Sequence, residues 1–278
     1  MNIGIVGLGL IGGSLAYDFR GLGHRVLGVS RQLQTCRDAV KLGAVDAATS
    51  ELASLRSADV VFICTPLSAI EAIATQLIPH LTPEAILTDV GSVKGTVVKT
   101  LTPLWPRFLG GHPMAGSEET GIHAAQPRLF AGNPYILTPT TETPADVLET
   151  LRTLVDQLES QRYECSSTVH DRAVAWISHL PKMISAGLIT ACLSETDLEI
   201  IKLAQAFASS GFRDTSRVGG GNPELGCMMA QYNRDELLRS LYQYRQSLDQ
   251  LTLLLENSDW LALQKLLNQT QAERPKFV

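Results

Sequence analysis

The chain has 278 residues, 45% of them hydrophobic and 18% charged, with a formal net charge of −5. This is enough for a full core and for about two domains. With no basic surplus and no Lys/Arg run, neither nucleic acid nor a membrane surface is an expected partner. The five cysteines (Cys36, Cys64, Cys165, Cys192, Cys227) are scattered, without a CxxC pair or a zinc-finger histidine in range. Reduced thiols in a cytoplasmic protein, and no structural metal, are expected. The opening "MNIGIVGLGLIGG" has neither the basic start nor the cleavage site of a secretion signal, which agrees with that location.

The first predicted strand, "NIGIV" (2–6), runs into "GLGLIG", which places Gly7, Gly9 and Gly12 in GxGxxG spacing directly before a helical stretch. Strand, glycine turn and helix together make a dinucleotide site: Gly7 for the tight turn, Gly9 for backbone approach to a pyrophosphate, Gly12 for helix packing. The N–H groups around Leu10 and Ile11 face the anion. The second strand, "RVLGV" (25–29), ends in Ser30 and Arg31, where NAD-selective sites carry an acid. A hydroxyl followed by a guanidinium suits a 2′-phosphate, so NADP is the expected cofactor, with a solvated surface charge as the alternative for Arg31.

Strands follow at "DVVFICT" (59–65) and "AILTDV" (85–90). Thr65 and Pro66 leave the first of these, and Ser92 in "DVGSVKG" leaves the second, all at the edge that meets the cofactor. Ser92 also qualifies as a cap of the next helix. The strand "RFLGG" (107–111) runs into His112. That histidine is either a base at the rim of the sheet or a polar stop. As a base it makes kcat/KM fall below about pH 6 to 7. Glu118 and Glu119 come next, and either line the same pocket or open a helix over "EETGIHAA". A strand "NPYILTP" (133–139) and a helix 144–160 complete a βαβ pattern, a Rossmann-type, mostly parallel sheet.

The expected boundary divides a dinucleotide-binding domain, 1–165, from an all-helical domain, 166–278, for substrate and dimerisation. In the second, "AVAWISHLPKMISAGLITACL" is broken by His179, Pro181 and Lys182 and reads as a buried helix pair rather than a membrane span. Leu237, Leu241, Tyr244, Leu248, Leu251 and Leu255 alternate spacings of four and three. That seam packs either inside its own domain or between the helices of a homodimer.

In this order and at these intervals, "GLGLIGGS", "DVGSVK", "GGHPMAGSE", "HDRAVAWISHLPK" and "GFRDTSR" resemble the prephenate/arogenate dehydrogenases of tyrosine biosynthesis over nearly the whole chain. The set looks most like the compact, NADP-dependent arogenate dehydrogenases. The resemblance implies oxidative decarboxylation of a cyclohexadienol: hydride leaves C4 for the nicotinamide, the 4-hydroxyl loses its proton, and the ring carboxylate departs as CO2. It implies that His112 is the base, that Ser92 bonds near His112 and the nicotinamide, and that Arg217 binds a substrate carboxylate. Asp214 would organise Arg217 or the dimer-side wall, and His179 would lie in the substrate pocket. Arogenate carries an ammonium where prephenate carries a ketone, so an acid such as Glu118 would favour arogenate, with prephenate as the alternative substrate. Two positions depart from the family pattern. Lys182 stands where many members carry His, and "VGGGNPELG" after Arg217 has no aromatic where many carry Trp. Another hydroxyacid or imine oxidoreductase, or a non-catalytic NADP-sensing module, shares the nucleotide domain. The second of these predicts a missing base.

Overall fold

The computed structural model describes residues 1–117 and 119–277. Among these, one sheet has strands β1 (Asn2–Val6), β2 (Arg25–Val29), β3 (Ala47–Thr49), β4 (Val60–Ile63), β5 (Ile86–Asp89), β6 (Phe108–Pro113), β7 (Pro134–Thr138) and β8 (Gln161–Glu164). Its order is β3-β2-β1-β4-β5-β6-β7-β8. Every neighbouring pair is parallel except β6 and β7. The direction of winding reverses between β1 and β4, the crevice where this class of sheet binds ligands.

Helices α1 (Leu10–Gly21), α2 (Leu33–Lys41), α3 (Leu67–Leu77), α4 (Gly95–Leu104) and α5 (Ala145–Gln157) cover the sheet. One apolar layer joins Ile3, Ile5 and Phe62 to Leu15 and Phe19 of α1 and Leu151 and Leu154 of α5. The opposite layer joins Val61, Ile63 and Leu87 to Ile70 of α3 and Val97 and Leu101 of α4. Burial on both faces explains the unbroken apolar run of β4.

From Ser167 the described chain is helical: α6 (Ser167–Val174), α7 (Leu180–Leu193), α8 (Leu198–Phe207), α9 (Ser210–Ser216), α10 (Pro223–Tyr232), α11 (Arg234–Glu256) and α12 (Trp260–Glu273). The sequence reading breaks the apolar tract near Pro181, whereas α6 and α7 are joined by a π-helical turn over Ala175–His179. The wider turn carries Leu180 N–H back to Ala175 O. It takes up an extra residue just before the proline that lacks an N–H of its own. No helix among the described residues is long and apolar enough to cross a membrane.

Candidate active site

The nucleotide crevice is shaped by its glycines. Gly7 has φ +100°, and a Cβ there would stand 2.5 Å from the Cys64 carbonyl oxygen. A Cβ on Gly12 would stand 1.9 Å from Gly7 O, so α1 packs against the turn at a distance only glycine permits. In front of Gly9 there is open space, and no side chain caps the N-terminus of α1. Leu10 and Ile11 therefore begin a helix without a side-chain cap, facing a cradle that a Gly9 Cβ would enter, which fits the pyrophosphate of a dinucleotide. Thr65 follows β4 beside Gly7, its buried hydroxyl without a hydrogen-bond partner, and Pro66 precedes α3. Ser30 follows β2, its N–H donating to Thr49 O at 3.1 Å, and Arg31 beside it is exposed.

The chemical end of the crevice is set by register. Asp89, the last residue of β5, pairs with Gly110 of β6. His112 therefore stands two residues, about 6 to 7 Å, beyond the end of its neighbour, still paired with Ile136 on β7. The strand that the sequence places at 107–111 thus extends through His112 itself. His112 is 8% exposed. Its Nδ1 lies 2.8 Å from Nε2 of His170, whose Nδ1 lies 2.8 Å from Oδ1 of Asp171. Burial first, then the charges of His170, Lys94 and His179, hold His112 well below the usual imidazole range. His112 is thus neutral, and able to accept a proton, to a lower pH than the pH 6 to 7 limb expected from an ordinary imidazole.

Ser92 lies half-buried after β5, but it does not cap the next helix. That cap crosses from the helical domain: Asp171 accepts from Lys94 N–H and Gly95 N–H, both at 2.7 Å. A carboxylate at this N-terminus suits both the unpaired N–H groups and the helix dipole. Lys94 itself is fully buried and donates to the Asp89 carboxylate and, at 2.7 Å, to Gly111 O next to His112.

His179 ends the π turn, fully buried. Asn233 donates through one amide nitrogen to Asp171 O at 2.8 Å and to His179 Nδ1 at 3.1 Å. Nδ1 being an acceptor, the hydrogen of neutral His179 sits on Nε2, a buried atom without a partner. Burial, opposed by Asp171, lowers its pKa to about 4.

Arg217 opens a short 3₁₀ turn, 217–220, after α9 and is exposed. The turn docks on α7, where Gly219 N–H donates to Ser185 Oγ at 2.8 Å. Asp214 is exposed on α9 and faces Arg213, 3.4 Å away. Glu118 lies outside the described residues. Glu119 is exposed, and of the two readings of "EETGIHAA" the helix is not formed among the described residues. Gly121, at φ +85°, instead leads into a single 3₁₀ turn at Ile122–Ala124.

The structure thus places His112 and Ser92 after neighbouring strands at the crevice edge, with His179 joined to His112 through Asn233, Asp171 and His170. His170, Asp171, Lys94 and Asn233 belong to this cluster, although sequence reasoning gave them no role. The signal for two of them was the adjacent His-Asp pair that heads "HDRAVAWISHLPK". For Lys94 it was the lysine that ends "DVGSVK", five residues after Asp89.

Comparison with known proteins agrees with this fold. Residues 15–164 match the prephenate dehydrogenase nucleotide-binding domain, and residues 166–269 match the prephenate dehydrogenase dimerization domain. The crystal structure of Synechocystis arogenate dehydrogenase is similar at TM-score 0.91 and 54% identity, with 100% of both chains covered. Prephenate dehydrogenase from A. aeolicus, solved with hydroxyphenyl propionate and NAD+, is similar at TM-score 0.94 and 28% identity, over 100% of this chain and 98% of that one. The prephenate dehydrogenase of Bacillus subtilis (strain 168) is 33% identical over 265 residues, 92% of this chain and 70% of the relative. The chain belongs to the prephenate dehydrogenase family.

Proposed function

We propose that the protein oxidatively decarboxylates arogenate to tyrosine, with NADP as hydride acceptor. The observation that carries this reading is His112: a buried, neutral imidazole at the carboxyl edge of the sheet, two residues past the end of β5. A nicotinamide bound along that edge supplies the site for the hydride leaving C4. His112 takes the proton of the 4-hydroxyl, so the carbon that loses hydride becomes a carbonyl before CO2 leaves and the ring aromatises. Ser92 bonds beside His112 and the nicotinamide. His179 offers its partnerless Nε2–H to a substrate oxygen, and Arg217 binds a carboxylate. Asp214 belongs to the wall near Arg217.

Arogenate is favoured over prephenate by the 54% identity to the Synechocystis arogenate dehydrogenase. Glu118 is the acid assigned to the substrate ammonium. Prephenate is kept as the second reading because the Bacillus subtilis relative bears that name. The assay is purified protein with NADP or NAD and with arogenate or prephenate, followed by absorbance of the reduced nicotinamide. Faster turnover of arogenate with NADP supports the proposal. Turnover of prephenate alone replaces the substrate, and no turnover with either acid removes the reaction, leaving a binding module.

NADP in preference to NAD rests on Ser30 and the exposed Arg31, with no acid at the end of β2. Arg31→Ala raises the KM for NADP by about tenfold and leaves that for NAD nearly unchanged, since a lost contact to the 2′-phosphate matters only where that phosphate exists. An equal rise for both cofactors contradicts this assignment.

The enzyme is further proposed to be a cytoplasmic homodimer. The Leu seam of α11 is buried at Leu237 but emerges to 43% exposure at Leu248 and 53% at Leu255. Exposed Leu193, Phe207 and Phe212 on α7 to α9 add apolar area that a second copy would cover. The match to a dimerization domain supports the same arrangement.

A further inference from the structure

The hydrogens along the chain from His112 to Asp171 follow from its acceptors. Asp171 takes Lys94 N–H on Oδ1 and Gly95 N–H on Oδ2, and Oδ1 also faces His170 Nδ1 at 2.8 Å. A carboxylate has no proton to give, so Nδ1 of His170 carries the hydrogen. In a neutral ring Nε2 is then the acceptor, and the 2.8 Å contact requires His112 Nδ1 to be the donor. The lone pair of His112 is left on Nε2, the nitrogen turned away from His170.

We propose that His170, anchored by Asp171, is a positioning residue that holds His112 in the Nδ1–H tautomer and so makes Nε2 the proton-accepting atom. The inference rests on His112 being the base of the reaction proposed above. His170 is 2% exposed and sits in the first turns of α6, where Ser166 accepts Val169 N–H and fixes the start of the helix. Asp171 is tied at the same time to the N-terminus of α4, and its carbonyl to Asn233. The relay is therefore held from three elements, α4, α6 and the start of α11, and its rings have little freedom to turn.

The proton balance is simple. The 4-hydroxyl proton passes to His112 Nε2, no bond in the His112–His170–Asp171 chain breaks, and the positive charge formed on His112 is met by the His170 lone pair and, through it, by Asp171. Of the neighbouring titratable groups, Lys94 opposes that charge, His179 is neutral, and Asp89 is engaged by Lys94.

The test is a two-bond proton–nitrogen correlation spectrum of full-length protein labelled with ¹⁵N-histidine, with the His112 signals identified by their loss in His112→Asn. The wild type should show His112 protonated at Nδ1 and bare at Nε2. In His170→Leu that pattern should move toward Nε2–H. With arogenate and NADP, His170→Leu should lower kcat about 10²-fold with both KM values nearly unchanged. His170→Gln, whose side-chain oxygen accepts from His112 Nδ1, should recover most of the loss. An Nε2–H signal for wild-type His112 overturns the proposal whether or not any variant folds, and so does a His170→Leu enzyme with the wild-type kcat. Absence of turnover with either acid overturns the reaction instead, and the spectrum then decides the tautomer on its own.

Discussion

Replacing His112 with asparagine lowers kcat by about 10² to 10⁴-fold while NADP still binds. The amide has no basic nitrogen, so it cannot take the proton that must leave as hydride departs. Its polar end nevertheless falls near the position of Nδ1, within reach of His170, so the β6 edge need not rearrange. Nothing in the nucleotide cradle touches the change, because the cradle is built from the turn at Gly7 to Gly12 and the ends of β2 and β4. The loss corresponds to about 3 to 5 kcal/mol of transition-state stabilisation at 1.36 kcal/mol per decade. Cofactor titration and steady-state kinetics on the same preparation check it. An Asn variant within threefold of wild type would remove His112 from the chemistry.

The second large effect is on stability. Lys94→Met should destabilise the fold by about 3 to 5 kcal/mol, because it leaves Asp89 buried without its cation. Both side chains are fully buried, and Asp89 Oδ1 already has no hydrogen-bond partner. Asp89 keeps Gly91 N–H at 2.8 Å, which is one donor for a carboxylate placed near Leu67 and Ile70. Lys94 also holds Gly111 O, so the strand position before His112 loosens with the same substitution. Urea unfolding of the two proteins measures the difference. The double variant Lys94→Met, Asp89→Leu should recover part of the loss, since the stranded charge is then absent. A single variant as stable as wild type would mean that the pair carries no charge in the folded protein.

Much of this arrangement is legible in the sequence because the nucleotide half is built from local signals. A strand, a glycine turn and a helix follow one another within residues 2–21, and the turn requires those glycines wherever it is found. Two strands leave no such signal. β3 has only three residues, and β8 is exposed at all four of its positions, "QRYE", an edge strand whose Arg162 and Glu164 pair along the surface. The helix that is one of two readings of "EETGIHAA" does not form among the described residues, where Gly121 turns the chain to positive φ. The relay fails to show for a different reason. His112 meets His170 across 58 residues, and Asp171 caps α4 across 76, so neither pairing has a local period to read. His112 could be chosen as a base from its position after an apolar strand. Which of its nitrogens serves depends on a contact between domains.

The measurement that bears most directly on His112 as the base is the pH dependence of kcat/KM for arogenate, in wild type and in His112→Asn. A group that must be neutral to act, and whose pKa is lowered by burial, keeps the enzyme active down to that lowered value and loses activity as pH falls through it. Wild type should therefore show an acid limb centred below about pH 6.5, the ordinary imidazole value. In His112→Asn the residual rate should be flat through the same range. An acid limb that survives unchanged in His112→Asn would assign the proton transfer to another group and contradict the account.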